Sequence, residues 1–300
     1  MSTQIHIIDL EFLDLSDTIA SFLIPSEDGL ILIESGPETT YEHLVQAIKE
    51  KGFNPDDIKH VLLTHIHFDH AGAAWKFAEK GAKIYVHPIG LPHLQDPQRL
   101  WSSAKMIYGD DMDRLWGTMK PIDAEKLVAV DDGDEIHIGE YHFKVHYTPG
   151  HAIHHNAYQL GETIFVGDVG GIKIHNGPVV PPCPPPDIDL GAWKNSIEKL
   201  KALHAKQLVL THCGFVENPN NHLDALEKML HDWANWMKPH YEANSNPAEI
   251  TPKFVEYTKN QLTDLGVAEK DIDRYDKANP SWMSVMGLLR YWKLKDQGRL

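Results

Sequence analysis

Cysteine is scarce in this chain, which has two, Cys183 and Cys213, among 300 residues. Two thiols cannot build the multi-bridge framework of a small secreted domain, although one bridge between them is allowed. Long apolar runs are missing as well, and no segment approaches the roughly 20 residues that a membrane-spanning helix needs. The opening stretch, MSTQIHIIDLEFLDLSD, has no basic cluster and carries Asp9, Glu11, Asp14 and Asp17, so it does not read as a secretory signal. Basic charge is in short supply too: 28 Lys and Arg stand against 43 Asp and Glu, a formal net charge of −15. That balance argues against a nucleic-acid surface, which normally shows a basic stripe. The expectation is a cytoplasmic protein with no membrane or nucleic-acid partner, acting on a small molecule. The remaining composition, 42% hydrophobic and 24% charged, is that of a folded globular chain rather than a disordered one.

What the chain has in excess is histidine, with 20 residues. Many, such as His6, His43, His231 and His240, sit in unremarkable surroundings. The pattern around them predicts alternating short strands and helices. Strands are expected at 18–24 and 29–34, a helix at 38–51, a buried strand at 59–64, a helix at 71–80 and a strand at 83–87. Residues 88–121 read as an inserted helical pair, with Trp101, Met106, Tyr108, Met112, Trp116 and Met119 at helical spacing. Strands follow at 127–130, 134–138, 141–147, 155–160 and 163–167. A proline-rich loop at 172–186, a helix at 190–203 and a strand at 207–211 come next. From residue 216 the texture is helix alone: 223–236, 252–265 starting at Pro252, and 282–292 with Trp282, Val285, Leu289 and Trp292 on one face. That aromatic stripe suits helix packing or a homodimer contact. The expected division is a catalytic domain over 1–215 and a helical extension over 216–300.

Four ligand-type residues stand within the run Thr64-His65-Ile66-His67-Phe68-Asp69-His70, directly after an apolar strand. In an extended stretch residues i and i+2 point to one side, so His65 and His67 can share one ion. Asp69 and His70 fall at the turn into the next helix and suit a second ion. Such a group is costly to bury without a compensating cation. Three further candidates, His151, Asp168 and His212, each follow the end of a strand. Five His and two Asp make nitrogen- and oxygen-rich sites suited to Zn, Mn or Fe. His154 and His155 lie just past His151, and His175 lies in the loop after Asp168. His155 and His175 are candidates for a substrate contact or a supporting role.

The run THIHFDH, with PGH at 149–151, GD at 167–168 and THCG at 211–214, resembles the metallo-β-lactamase superfamily over roughly residues 5–215. The resemblance implies an α/β chain folded as a four-layer αββα sandwich with two divalent metal ions at one end, zinc first, with Fe or Mn as alternatives. It implies that His65, His67 and His151 hold one ion, that Asp69, His70 and His212 hold the other, and that Asp168 bridges them. Asp69 and Asp168 are then the catalytic carboxylates. β-Lactamases of the family commonly carry Cys where this chain has Asp168, and flavodiiron members carry Glu in place of His67. The pattern is most similar to the glyoxalase II-like branch, which implies a hydroxide shared by two metals and attacking a small thioester, ester or lactone. Two rivals remain at this point: a mononuclear iron enzyme like the persulfide dioxygenases, and a phosphodiesterase or nuclease.

Overall fold

The computed structural model describes residues 4–300; residues 1–3, the start of the stretch read as lacking a secretory signal, lie outside it. The chain divides into two compact units, one holding residues up to Tyr147 plus His154–Phe165, the other Thr148–Ile153 plus Val166–Leu300.

In the first unit, strands β1 (His6–Asp9), β2 (Ala20–Ser26), β3 (Gly29–Ile33), β4 (Ile58–Leu62), β5 (Lys83–Val86) and β6 (Leu127–Ala129) form a sheet in chain order. The first three pair antiparallel, and β3 to β6 pair parallel. Parallel strands need crossovers, which α1 (Tyr41–Glu50), α2 (Phe68–Ala71) and α3 (Ala74–Glu79) help supply. β3 reads as a continuous apolar run because both its faces are covered: Leu30, Ile31, Leu32 and Ile33 are all buried. α1 buries Tyr41, Leu44 and Ile48 along one stripe, each such side chain contributing about 1.5–3 kcal/mol. Strands β7 (Glu135–Ile138), β8 (Tyr141–Tyr147), β9 (Asn156–Leu160) and β10 (Thr163–Phe165) form an antiparallel series. The Phe22 ring of β2 lies 5.7 Å from the Phe165 ring of β10, so apolar side chains from both sheets meet.

The insertion is three short helices rather than the expected pair: α4 (Leu91–Gln95), α5 (Gln98–Tyr108) and α6 (Met112–Trp116). Gly109 and Gly117, at φ of 57° and 68°, stop α5 and α6 by taking a left-handed backbone that other residues enter at a cost. β1 is a strand that the pattern did not predict, since its four residues are too short a run to show alternation.

In the second unit, α7 (Leu190–Ala202) starts at Asp189, whose carboxylate accepts from the Gly191 and Ala192 amides. β11 (Gln207–Leu210) and β12 (Gly214–Val216) make a hairpin, not the lone strand expected. The remainder is helical: α8 (Pro219–Glu242), α9 (Pro247–Asp264), α10 (Glu269–Ala278) and α11 (Ser281–Asp296). α9 begins a turn and a half before Pro252, because the Asn246 side chain caps it at the Ala248 amide with Pro247 in the first turn. α10 escaped the sequence reading because only Tyr275 of its ten residues is buried. The buried face of α11 is Ser281, Ser284, Val285, Gly287, Leu288 and Tyr291, rotated from the expected Trp282–Leu289–Trp292 stripe. The reason is close approach: a Cβ on Gly287 would stand 2.0 Å from the Cys183 carbonyl oxygen. Small residues mark that contact, so a search for apolar side chains misses it. The two cysteines are not joined in a disulfide, and burial pushes the Cys183 thiol pKa up. Among the described residues no helix is long and apolar enough to cross a membrane.

Candidate metal centre

Four of the seven expected ligands belong to the first unit and follow β4. Thr64 and His65 continue past the strand end, His67 precedes the first residue of α2 with extended backbone, and Asp69 and His70 lie inside that helix. His65 and His70 are fully buried. His65 Nε2 stands 2.9 Å from His67 Nδ1, as the i, i+2 spacing predicts. The His65 and His70 rings lie 4.0 Å apart, and His70 Nε2 is 3.6 Å from an Asp69 carboxylate oxygen.

Behind this turn sits Glu34, the residue sequence reasoning missed. It closes β3, is fully buried, and holds a left-handed φ of 63° that a non-glycine residue adopts only under constraint. The Thr64 hydroxyl donates to Glu34 Oε1 at 2.5 Å, so the Thr64 oxygen is left to accept from His65 Nδ1 at 3.0 Å. That assigns the His65 proton to Nδ1 and leaves the Nε2 lone pair facing His67. The same Glu34 oxygen lies 3.2 Å from His70 Nδ1, while His70 Nε2 is the ring nitrogen on the Asp69 side. One carboxylate therefore sets the tautomer of His65 through Thr64 and stands as a charged neighbour of His70, in the way carboxylates support metal-binding imidazoles. Its only trace in the sequence is an acid ending the otherwise apolar run GLILIE.

The insertion packs on the same turn. Phe68 meets Trp101 at 5.7 Å and Trp116 at 6.1 Å between ring centroids, and Tyr108 meets Trp116 at 5.3 Å. Burial, and after it the negative charge of Asp69, pushes the Tyr108 phenol well above its ordinary range, so it stays protonated. His155 is fully buried, its ring 5.1 Å from that of His65; His154 is buried beside both His65 and His67. His87 stacks on Tyr147 and faces Asp131, a structural position.

The other three expected ligands belong to the second unit, where all are buried. Asp168 lies in the helical turn Gly167–Gly170, and His212 lies between β11 and β12. The two oxygens of Asp168 face different histidines: Oδ2 is 3.3 Å from His151 Nε2, and Oδ1 is 3.4 Å from His212 Nε2. His151 Nδ1 donates to the Pro182 carbonyl at 2.9 Å, since a carbonyl can only accept. For a neutral imidazole the His151 Nε2 lone pair is then aimed at a carboxylate oxygen. Acceptor against acceptor is satisfied by a cation lying against both, so the donor set fits a divalent metal.

Each piece of this set is braced. Trp193 Nε1 donates to the Val169 carbonyl and His222 to the Gly170 carbonyl, holding the turn that carries Asp168. Burial drives the His222 pKa down to about 4, so it is a neutral donor. Gly150, directly before His151, lies so close to Trp193 that a Cβ would stand 2.3 Å from its Cα. The proline loop that receives His151 is tied to the C-terminal helices: Asn279 donates to the Pro181 carbonyl, Tyr275 to the Pro178 carbonyl and Arg290 to the Pro186 carbonyl. His175 pairs with Asp271 of α10 at 3.3 Å. Cys213 is half-buried.

With this geometry in hand, the class of the protein is settled by comparison. Residues 17–212 match the metallo-β-lactamase superfamily, and the chain belongs to it. It is 31% identical over 179 residues to the metallo-β-lactamase fold-containing protein ST1585 of Sulfurisphaera tokodaii, covering 58% of this chain and 67% of that one. The crystal structure of that archaeal protein superposes with a TM-score of 0.62 over 77% of this chain and 87% of its own, at 26% identity. A metallo-β-lactamase family protein from Thermus thermophilus, TTHA1429, shares the fold at 17% identity with a TM-score of 0.66, covering 98% of this chain and 94% of that one. A hydroxyacylglutathione hydrolase of an Enterobacter species is 27% identical over 146 residues, 49% of this chain and 44% of that protein. The chain thus has the expected fold, with a C-terminal helical extension, in a superfamily of metallo-hydrolases.

Proposed function

We propose that the protein is a dinuclear metal hydrolase of small thioesters, esters or lactones, with His65, His67 and His151 on one ion, Asp69, His70 and His212 on the other, and Asp168 shared. The observation that carries this reading is the split of Asp168: its two oxygens face His151 and His212 separately, the disposition of a bridging carboxylate. The seven proposed ligands are five imidazoles and two carboxylates, the nitrogen and oxygen set that zinc prefers. Bound there, two divalent ions supply an activated water at neutral pH and a Lewis acid for the acyl oxygen. The chain's own residues do the positioning. Glu34 fixes the His65 tautomer through Thr64, so its ligand nitrogen needs no rearrangement when an ion arrives. Asp69 can take the proton of the attacking water and pass it to the leaving thiolate or alkoxide. The protonated Tyr108 phenol is a hydrogen-bond donor, and Trp101 and Trp116 give the acyl group an apolar wall.

The similarity to a hydroxyacylglutathione hydrolase supports a thioester. The basic residues of α11 do not support glutathione in particular, because Arg290 binds the Pro186 carbonyl and Lys295 binds the Tyr291 hydroxyl. The test is hydrolysis of S-lactoylglutathione and of an N-acyl homoserine lactone by the zinc-loaded protein. Turnover of either at about 10⁴ M⁻¹s⁻¹ or better, lost in Asp168→Asn, agrees with the proposal. Failure on both, with two zinc ions bound, refutes the substrate class and leaves the metal centre standing.

A further inference from the structure

A second constellation of metal-binding side chains lies on the outer face of the β7–β8 hairpin. Glu135 and His137 are two residues apart on β7, so they share a face, and His142 of β8 is the direct cross-strand partner of His137. The opposite face is core, with Ile136, Ile138, Phe143 and Val145 all buried. The imidazoles of His137 and His142 stack nearly parallel, 4.2 Å between centroids at an interplanar angle of 11°. The Glu135 carboxylate reaches His142 Nε2 at 3.0 Å. One ligand atom from each of the three residues lies within 4.8 Å of the others, and all three residues are exposed.

We propose that Glu135, His137 and His142 form a peripheral binding site for a divalent transition-metal ion. Two imidazoles and one carboxylate are the donors that zinc, nickel and copper take, and three protein ligands leave the outer positions to water. The strand ladder holds the two histidines opposite each other, so little order has to be imposed when an ion binds. Paired imidazoles at the rim of a sheet add nothing to the core beneath them; an ion held by both strands would clip the hairpin together. A chain of net charge −15 favours cation approach. Lys144, which faces Glu135 across the ladder, is the one cationic residue of the two strands and opposes it. The site is built from the hairpin alone and is independent of the proposed hydrolase centre.

The probe is Zn²⁺ or Cu²⁺ alone, added by equilibrium dialysis to the chelator-stripped full chain and to the His137→Ala/His142→Ala variant. The wild type is expected to bind one ion more than the double variant. A single His142→Gln change is expected to weaken that extra ion by about tenfold or more, since loss of even a supporting residue costs roughly 10–100-fold. With Cu²⁺, nitrogen hyperfine coupling from the extra ion should be present in the wild type and absent from the double variant. Circular dichroism confirms that the variants fold, and Glu135→Gln/His142→Gln replaces the alanine pair if they do not. Equal stoichiometry and equal spectra for wild type and variants across the titration would overturn the proposal.

Discussion

Two histidine clusters in this molecule use similar donors in opposite settings. Around His65, His67 and His70 the rings are buried or half-buried, and Glu34 and Thr64 fix which nitrogen of His65 carries the proton. Around His137 and His142 the rings are exposed, and Glu135 is their polar neighbour. The first cluster has its ligand geometry imposed by the core before any ion binds; the second has it imposed only by strand pairing. Preorganisation therefore separates a centre suited to catalysis from a site suited to holding an ion loosely. Substitutions around the buried ligands should cost stability or metal affinity, and substitutions in the hairpin should cost neither beyond the one ion.

The largest effect expected on the buried side comes from Gly150→Ala. The added methyl meets Trp193 at 2.3 Å and the backbone holds a φ of 133°, so overpacking and strain together should cost about 3 kcal/mol. Urea unfolding measures it, and a change under 1 kcal/mol would show that the backbone before His151 is adaptable. Next is the pH dependence contributed by His222, which also tests whether a buried, braced histidine differs from a surface one. Its pKa is about 4 in the fold and 6.5 in the unfolded chain, so between those values only the unfolded chain takes up the proton. Unfolding free energy should fall by about 3 kcal/mol as pH drops from 6.5 to 4, with the loss complete near pH 4. His222→Gln should show a shallower pH profile across that window; an unchanged profile would mean that His222 does not titrate as its burial demands. Glu34→Gln should weaken zinc binding by about 10–100-fold while the chain stays folded, read by competition with a chelator. The smallest effect is in the hairpin: His137→Ala/His142→Ala without metal should shift stability by no more than about 0.5 kcal/mol.

The same contrast explains what was legible in the sequence. The turn 64–70 could be read because its ligands are one to five residues apart and local backbone geometry alone relates them. Glu34 could not, because it reaches Thr64 across thirty residues of chain and only the pairing of β3 with β4 brings them together. Trp193 and His222 support the Asp168 turn through backbone carbonyls, contacts that leave no pattern in side-chain type. The layout of the fold was legible where strands are apolar on both faces, as in β3. It was not legible where short or small residues decide, as in β1, the polar helix α10 and the Ser284–Gly287 face of α11. The hairpin cluster was invisible for a different reason. Glu135, His137 and His142 look like ordinary surface residues until the register places them side by side.

The most direct measurement is the zinc content per chain of Asp168→Asn, taken in the His137→Ala/His142→Ala background so that the surface site does not contribute. The parent should carry two ions after desalting. Asp168→Asn should carry fewer than two and lose hydrolysis in the same preparation. Two ions retained in that variant would contradict a bridging Asp168, the observation on which the proposed function rests.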